Sequence, residues 1–258
     1  MIKTGNYMKK ILQKSMPYLL AGLSLFGSIK ETNAEIPQDR TVAHIRLELE
    51  AENSQAYLKY LDGFLERANT HLKPLNENNE EEAVERLREI YFFIKKEGFS
   101  YQPQKHLRDG IKERKIDCDL YSILYESIAE KKGFPIEVLM TPNHSIVRWK
   151  LNDGKYITWE TTSGYEYPEG KLLESMNDYE IMNGLKPCKE EDIMPITSKE
   201  AYIDWMLDGP ADHVRNNTEI LKDNFPEYAK SMEKFYQKKI DANPRDQNSR
   251  MKLEYLVK

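Results

Sequence analysis

The hydrophobic pattern of this chain changes its period at Gly133-Phe134-Pro135. Before this point, apolar residues recur at steps of three and four, which is typical of a helix, and a glycine followed by a proline is a typical helix end. After it come three short runs rich in β-branched and aromatic residues, with turn residues between them. The runs and turns are 136–140, Thr141-Pro142-Asn143, 144–151, Asn152-Asp153-Gly154 and 155–160. A helix followed by strands that short turns join predicts an antiparallel sheet and an α+β fold.

Helical spacing also dominates both ends of the chain. Residues 39–72 predict one continuous helix, and the acidic residues 80–82 begin a second helix that stops at Gly98. Segment 99–115 predicts a loop with a short helix, whereas 161–187 is turn-rich. Helical spacing returns over 199–207, 212–222, 226–240 and a last segment after Asn243-Pro244. Helical regions therefore flank the predicted strands.

These patterns divide the chain into four regions. The first, 1–34, has the order of a secretory signal peptide, with lysines, then an apolar stretch, then a polar segment that ends at Ala34. The others are an N-terminal helical region (35–98), the α+β core (99–195) and a C-terminal helical region (196–258). The signal peptide predicts export to the periplasm or the cell exterior. An uncleaved N-terminal membrane anchor is the alternative.

The charge distribution excludes one class of partner. The net charge is −5, and after residue 34 the chain carries 33 basic and 42 acidic residues. It contains no basic patch interleaved with aromatic residues, so we expect no binding to nucleic acid. Nothing after residue 34 is apolar enough to span a bilayer, and we expect no integral membrane span once the signal peptide is removed.

The chain has two cysteines, Cys118 and Cys188. In an exported protein they could form one disulfide, and the alternative is a working thiol. Asp117 is a typical N-cap residue, which places Cys118 at the first position of the helix that ends at Gly133. A helix N-terminus and a nearby imidazolium are the commonest means of stabilising a thiolate. The position of Cys118 thus indicates a nucleophile.

His144 begins the second strand-like run and is the candidate imidazole. Such an imidazole needs a third group to orient it, and Glu160, at the end of the next run, is the candidate. A three-residue hairpin loop at 152–154 would place both side chains on one face of the sheet, as diagonal neighbours about 7–8 Å apart at the backbone. A two-residue loop would place Glu160 on the opposite face. Asp153 is the alternative acid.

Three sequence motifs between residues 112 and 164 carry a resemblance to a known family. They are KERKIDCDLYSILYESIAEKKGFP, TPNHSIVRW and YITWETTSG. Their residues and order resemble the transglutaminase-like cysteine-peptidase superfamily, in particular exported bacterial members with tetratricopeptide-like C-terminal helices. The resemblance implies a papain-like core. It also implies hydrolysis of amide or peptide bonds, or acyl transfer from them, through a thioester intermediate.

Carried onto this sequence, the resemblance implies a catalytic triad in which Cys118 is the nucleophile, His144 the base and Glu160 the orienting acid. Two features depart from the family pattern. The third residue is more often an aspartate, and here Asp117 and Asp119 bracket the cysteine. Carboxylates beside a thiol oppose formation of the thiolate, so the helix terminus and His144 must outweigh them.

The chemistry also requires an oxyanion hole. The backbone N–H of Cys118 is the natural first donor, and we expect Gln102 from the upstream loop to be the second, with Tyr101 and Gln104 as alternatives. We expect no cofactor. The remaining histidines have no ligand spacing with any cysteine or acidic cluster, so we also expect no zinc site.

The expected partner is a peptide or protein substrate, with cell-wall peptide as one candidate. The C-terminal helices resemble one tetratricopeptide unit, which cannot bury its own apolar face, so we expect it to pack on the core and to offer a surface for a protein partner. The alternative function is a catalytically inactive transglutaminase-like scaffold whose helical ends bind proteins.

Overall fold

The computed structural model describes most of the chain after residue 39. The described residues are 40–50, 54–104, 106–141, 144–168, 170–182, 187–190, 193–207 and 211–258. The signal peptide expected at 1–34 lies outside them. All described residues belong to one compact unit.

Three helices make up the described part of the N-terminal region: α1 (Val42–Glu50), α2 (Gln55–His71) and α3 (Glu80–Lys96). The prediction of one helix over 39–72 was wrong, because α2 begins anew after Ser54. The carboxylate of Glu50, at the end of α1, accepts hydrogen bonds from the backbone N–H groups of Leu107 and Arg108 at 3.0 and 3.1 Å. The end of α1 is therefore held by a tertiary contact that sequence periodicity does not reveal.

The core region begins with two short strands and two helices: β1 (Ser100–Tyr101), α4 (Leu107–Glu113), β2 (Lys115–Ile116) and α5 (Cys118–Lys132). β1 and β2 pair in parallel, which brings the segment after Tyr101 beside the start of α5. Helix α5 begins as predicted, because the Asp117 side chain accepts a hydrogen bond from the N–H of Leu120 at 3.1 Å. It ends as predicted at Gly133, which has φ +69°. Cys118 is thus the first residue of a capped helix.

Five strands form one antiparallel sheet in the order β6-β5-β4-β3-β7, which confirms the α+β class. The strands are β3 (Ile136–Met140), β4 (Ser145–Lys150), β5 (Tyr156–Glu160), β6 (Tyr165–Glu166) and β7 (Met194–Ile196). The first three agree with the predicted runs to within one residue at each end. β7 was not predicted, because Pro195 interrupts its pattern; a proline without an N–H is tolerated in this edge strand.

The hairpin between β4 and β5 has the three-residue loop that the sequence favours. The N–H of Leu151 donates to the carbonyl of Lys155 at 2.9 Å, and Gly154 adopts φ +85°. Val147 consequently pairs with Trp159. This register places the residue before β4 and the last residue of β5 on the same face of the sheet.

Segment 161–187, predicted to be turn-rich, also contains regular structure that the sequence did not predict. It contains β6 and a helix, α6 (Leu172–Met182). Met176 of α6 packs in a small apolar cluster with Leu139, Ile146 and Tyr167. Because this apolar cluster is small, the helical pattern of α6 in the sequence is weak.

Four helices make up the part of the C-terminal region that the structure describes, as predicted: α7 (Lys199–Met206), α8 (Ala211–Asn224), α9 (Pro226–Ala242) and α10 (Gln247–Val257). Their apolar residues, among them Leu221, Met232 and Leu256, pack around Ile45 of α1. The C-terminal helices thus dock on the N-terminal region. None of the helices in the described part of the chain is long and apolar enough to cross a bilayer.

Helix α5 packs against β3 and β4 and also against α1 and α2. The indole N–H of Trp159 donates to the hydroxyl of Tyr125 at 3.0 Å, and that hydroxyl donates to the carbonyl of Leu87 at 3.2 Å. The buried hydroxyl groups of Ser122 and Thr161 lie 3.4 Å apart. These bonds hold the helix that carries Cys118 against the end of β5.

Candidate active site

The side chains of Cys118, His144 and Glu160 converge in the structure. Cys118 begins α5, His144 immediately precedes β4, and Glu160 is the last residue of β5. The thiol of Cys118 and the imidazole of His144 are hydrogen-bond partners. Nε2 of His144 lies 2.6 Å from Oε2 of Glu160. Three residues that are distant in sequence therefore form one hydrogen-bonded row.

The backbone of His144 is fixed by two hydrogen bonds with Thr141, the residue after β3. The N–H of Thr141 donates to the carbonyl of His144 at 2.8 Å, and the N–H of His144 donates to Oγ1 of Thr141 at 3.0 Å. Because Nε2 of His144 binds Glu160, Nδ1 is the ring nitrogen that remains for the thiol.

The buried carboxylate of Glu160 accepts four hydrogen bonds. Oε1 accepts from the N–H and the hydroxyl of Thr162, at 2.9 and 2.7 Å. Oε2 accepts from the hydroxyl of Tyr167 at 2.9 Å, in addition to its bond with His144. A carboxylate with four donors has both its charge and its orientation fixed.

Thr162 and Tyr167 were not predicted as site residues. Tyr167 is buried, whereas Tyr165, two residues earlier, is exposed, and the two rings lie 5.3 Å apart between centroids. The alternation of Tyr165, Glu166 and Tyr167 is a weak strand signal that the surrounding turn residues conceal. Thr162 is only two residues from Glu160, so the sequence does not show whether it donates to that carboxylate or is an ordinary turn residue.

The protonation of the imidazole follows from its two partners. Burial lowers the pKa of His144, but its hydrogen bonds with Cys118 and Glu160 and the negative charges of Glu160 and of the Cys118 sulfur outweigh burial and raise that pKa to about 10. Burial raises the pKa of Glu160, but hydrogen bonds from His144 and Thr162 bring it below its ordinary value. At neutral pH the pair is an imidazolium and a carboxylate.

The two aspartates that bracket the nucleophile are partly buried. Burial raises the pKa of Asp117 above its ordinary value, against the hydrogen bonds from the N–H groups of Leu120 and Gln104. Burial and the neighbouring charge of Asp117 raise the pKa of Asp119. Sγ of Cys118 donates to Oδ1 of Asp119 across 3.7 Å, a contact that the sequence did not predict.

Two cavities adjoin the row of three side chains. The first, of about 300 Å³, is lined by His144, Glu160, the hydroxyl-bearing residues of the loop after β5, Tyr101, and Ser175 and Met176 of α6. The second, of about 610 Å³, is lined on one side by Asp117, Asp119 and Gln104 and on the other by apolar residues of the C-terminal helices, including Trp205. His144 and Glu160 therefore line a hydroxyl-rich cavity, and the two aspartates that bracket Cys118 in the sequence line a partly acidic one.

The expected oxyanion donors occupy different places. The N–H of Cys118 is at the free N-terminus of α5, as expected. Gln102 is exposed, and its backbone N–H donates to the carbonyl of Ile116 at 3.0 Å. Among the alternatives, Tyr101 lines the cavity that contains His144, whereas Gln104 lines the acidic cavity. Tyr101 is thus the upstream residue whose position beside His144 suits a second donor.

The remaining sequence alternatives are decided by contacts. Cys118 and Cys188 are both free thiols, so the alternative of a disulfide between them is wrong. Asp153 is exposed, and its side chain accepts a hydrogen bond from the N–H of Lys155 at 3.0 Å within the hairpin loop. The acid that contacts the imidazole is Glu160.

Comparison with known proteins gives little further information. No protein-family model matches the chain, and no curated protein matches it. Among solved structures, the chain is similar to menin, in a structure described as revealing the binding site for Mixed Lineage Leukemia (MLL) protein. The identity is 9% and the TM-score 0.44, over 84% of this chain and 55% of the menin chain, so this chain spans about half the length of menin. A similarity at this level assigns neither a fold family nor a function.

Proposed function

We propose that this protein is an exported, transglutaminase-like cysteine hydrolase or acyltransferase with a papain-like core that acts on amide or peptide bonds. The observation that carries the proposal is the hydrogen-bonded row in which Cys118 contacts His144 and His144 contacts Glu160 at 2.6 Å. A surface cysteine needs no such partners. A nucleophilic cysteine does, because only the thiolate attacks a carbonyl carbon.

Each member of the row has a separate role. The thiolate of Cys118 attacks the carbonyl carbon of the amide, and the N–H of Cys118 stabilises the negative oxygen that results. The imidazolium of His144 holds the thiolate and then donates its proton to the leaving amine. Glu160 keeps the imidazole oriented and charged, which its four hydrogen bonds allow. The product of this half-reaction is a thioester on Cys118.

Water or an amine then releases the acyl group from the thioester. Neutral His144 takes a proton from the attacking molecule, the carbon–sulfur bond breaks, and the thiolate–imidazolium pair returns. With water the reaction is hydrolysis, and with an amine it is acyl transfer. The substrate is a peptide or protein, with exported cell-wall peptide as one candidate, and the C-terminal helices are a candidate surface for a protein partner.

One observation favours a second function, a catalytically inactive scaffold of the same fold. The carboxylates of Asp117 and Asp119 lie on either side of Cys118, and negative charge there opposes the thiolate. In this case Cys118 would be an unreactive thiol, and the helical ends would carry the function by binding a protein.

Thiol reactivity separates the two functions. In a Cys188→Ser background Cys118 is the sole cysteine, and its rate of alkylation by iodoacetamide is measured at pH 6. An ordinary thiol is less than about 1% ionised at this pH, so a thiolate held by His144 should react at least about tenfold faster. His144→Ala should abolish the excess, whereas His71→Ala, at an exposed histidine, should leave it unchanged.

A second assay detects the thioester itself. The background protein is incubated with p-nitrophenyl acetate, and the intact mass is followed for one added acetyl group on Cys118. The proposal predicts rapid acetylation followed by slow release, with both steps slowed by His144→Ala. Alkylation no faster than that of a free thiol, together with no acetylation, would establish the inactive scaffold.

A further inference from the structure

A second ionisable side chain, besides His144, touches the nucleophilic sulfur. The thiol of Cys118 donates to Oδ1 of Asp119 across 3.7 Å, and Asp119 lines the second cavity. A thiol is a weak donor with a single proton, so this contact assigns the proton to the Asp119 side of the sulfur. The contact therefore raises the question of which base removes that proton.

His144 does not suit that task at neutral pH. The carboxylate of Glu160, 2.6 Å from Nε2, favours the protonated imidazole, so both ring nitrogens carry protons and act as donors. Nε2 donates to Glu160, and the other nitrogen has only a hydrogen to offer the sulfur. An imidazolium stabilises a thiolate once it exists but cannot accept a proton from the thiol.

We propose that Asp119 is a further catalytic residue of this site: it accepts the thiol proton of Cys118 and, as the neutral acid, donates a hydrogen bond back to the thiolate. This inference rests on the proposed function and deepens it. In it His144 acts first as an acid and only later as a base, while Asp119 performs the opening deprotonation.

Protons are conserved over the catalytic cycle. The S–H bond of Cys118 breaks and an O–H bond forms on Asp119, so the net charge of the site does not change. The thiolate attacks the carbonyl carbon, and the carbon–nitrogen bond breaks as the leaving amine takes the proton of His144. Water then attacks the thioester, gives one proton to His144, and displaces the thiolate, which Asp119 still holds by its hydrogen bond. One amide and one water become one acid and one amine.

The surroundings of Asp119 favour this exchange. The charged groups that face it are Asp117 and Cys118 on its own segment, Arg46 and Glu50 of α1, His106 before α4, and His144. Burial and the charge of Asp117 raise the pKa of Asp119, whereas Arg46, the thiol and His144 act in the opposite direction and do not cancel the increase. Because Asp119 lines the second cavity, solvent there can exchange its proton.

Two substitutions distinguish a catalytic acid from a merely repulsive charge. In the Cys188→Ser background, the alkylation rate of Cys118 by iodoacetamide is measured from pH 4.5 to 8.5 for Asp119→Ala and Asp119→Asn. If Asp119 donates to the thiolate, Asp119→Ala should slow alkylation about tenfold at the acidic end, since a hydrogen bond to a charged group is lost. Asp119→Asn keeps an N–H donor and should retain the rate there. If the carboxylate only repels the thiolate, both variants should be as fast as the background or faster at every pH, and the inference is overturned.

Asp119→Asn gives an independent result should Asp119→Ala fail to fold. Asparagine resembles the neutral acid and cannot become negative, so the ratio of its rate to the background rate should stay near 1 over the whole pH range. A ratio that rises to about tenfold or more above neutral pH would show a charged carboxylate that opposes the thiolate, and it contradicts the inference. The matched control is Asp241→Asn, at an exposed aspartate of α9, which should leave the alkylation rate unchanged at every pH.

The failure of this inference is separable from that of the proposed function. If the background protein reacts no faster than a free thiol at any pH, the nucleophile itself is absent and the proposed function fails. If the background reacts fast and depends on His144, but Asp119→Ala does not slow it at the acidic end, only the role of Asp119 fails.

Discussion

Nε2 of His144 lies 2.6 Å from Oε2 of Glu160, although 16 positions separate the two residues. The register of the β4–β5 hairpin produces this contact. Val147 pairs with Trp159, so Glu160 lies opposite Ile146. His144 precedes Ile146 by two residues and therefore lies on the same face of the sheet as Glu160. A hairpin loop one residue shorter would turn Glu160 away from the imidazole. The loop at 152–154 therefore decides which acid the site uses.

Glu160→Gln should lower the pKa of His144 by at least about one unit, because a neutral amide replaces the negative charge that favours the imidazolium. The value in the unaltered protein is about 10. An NMR titration of ring-labelled histidine would measure the change. Glu137→Gln, which removes a carboxylate that pairs with Arg148 on the same sheet, is the control and should leave the titration of His144 in place. An unchanged pKa in Glu160→Gln would mean that Glu160 does not hold the imidazolium.

Tyr167→Phe should destabilise the protein by about 1.5–3 kcal/mol, because it deletes a buried hydrogen bond to a charged acceptor, the carboxylate of Glu160. Unfolding in urea, followed by circular dichroism, gives the free energy of unfolding. The matched control is Tyr156→Phe: Tyr156 is 39% exposed and packs its ring against Arg148, so loss of its hydroxyl should cost less than about 0.5 kcal/mol. Equal effects of the two substitutions would show that the Tyr167 hydroxyl does not support Glu160.

The His144–Glu160 pair should contribute most to stability in mildly acidic solution. The pKa of Glu160 is lowered by folding, so its contribution is complete above about pH 4.3 and is lost as the pH falls through the lowered value. The pKa of His144 is raised, so its contribution is complete below about pH 6.5 and is lost as the pH rises through about 10. Both contributions are present only between these limits.

The difference in free energy of unfolding between the unaltered protein and a His144→Gln, Glu160→Gln double variant should therefore be largest near pH 5.5. It should be smaller at pH 9, by about 2–3 kcal/mol. Urea unfolding at the two pH values measures both differences. A difference that does not depend on pH would show that the two side chains are not charged partners.

Local signals in the sequence were sufficient for the elements that carry the site. Asp117 predicts the start of α5, Gly133 predicts its end, and Asn152-Asp153-Gly154 predicts the hairpin loop, because each acts on backbone within a few residues of itself. Cys118, His144 and Glu160 could be named on this basis, since a capped helix and a defined register suffice to place them.

Contacts that depend on side chains from separate elements could not be predicted. The hydroxyl of Tyr167 reaches Glu160 because β6 returns beside β5, and nothing local to Tyr167 indicates that return. α6 was missed because its apolar contacts, made by Met176 in the small cluster and by Leu172 packed against it, are with residues from other elements. The separation of α1 from α2 depends on the bond between Glu50 and the start of α4, which is equally remote in sequence.

The glycine that follows the acid in YITWETTSG should be the least replaceable of the turn glycines near the site. Gly164 has φ +74°, and its N–H donates to the carbonyl of Glu160 at 2.9 Å. A Cβ at this position would lie 2.6–2.8 Å from ring atoms of Tyr91 on α3. Gly154, in the hairpin loop, has a similar φ of +85° but no atom within 4 Å of an added Cβ. An alanine at either position would therefore be strained by the left-handed backbone, but only an alanine in place of Gly164 would also clash with Tyr91.

Gly154→Ala should therefore lower the free energy of unfolding by about 1 kcal/mol, because alanine disfavours a left-handed backbone. Gly164→Ala should lower it by about 2 kcal/mol or more, because the ring of Tyr91 or the turn must move as well. Since that turn carries Thr162, whose two donors hold Glu160, Gly164→Ala should also reduce the His144-dependent alkylation of Cys118, and Gly154→Ala should reduce it less. Urea unfolding and iodoacetamide kinetics measure the two effects. Tyr91→Ala added to Gly164→Ala should restore part of the lost reactivity by making room for the methyl group; no restoration would place the defect in the backbone strain alone.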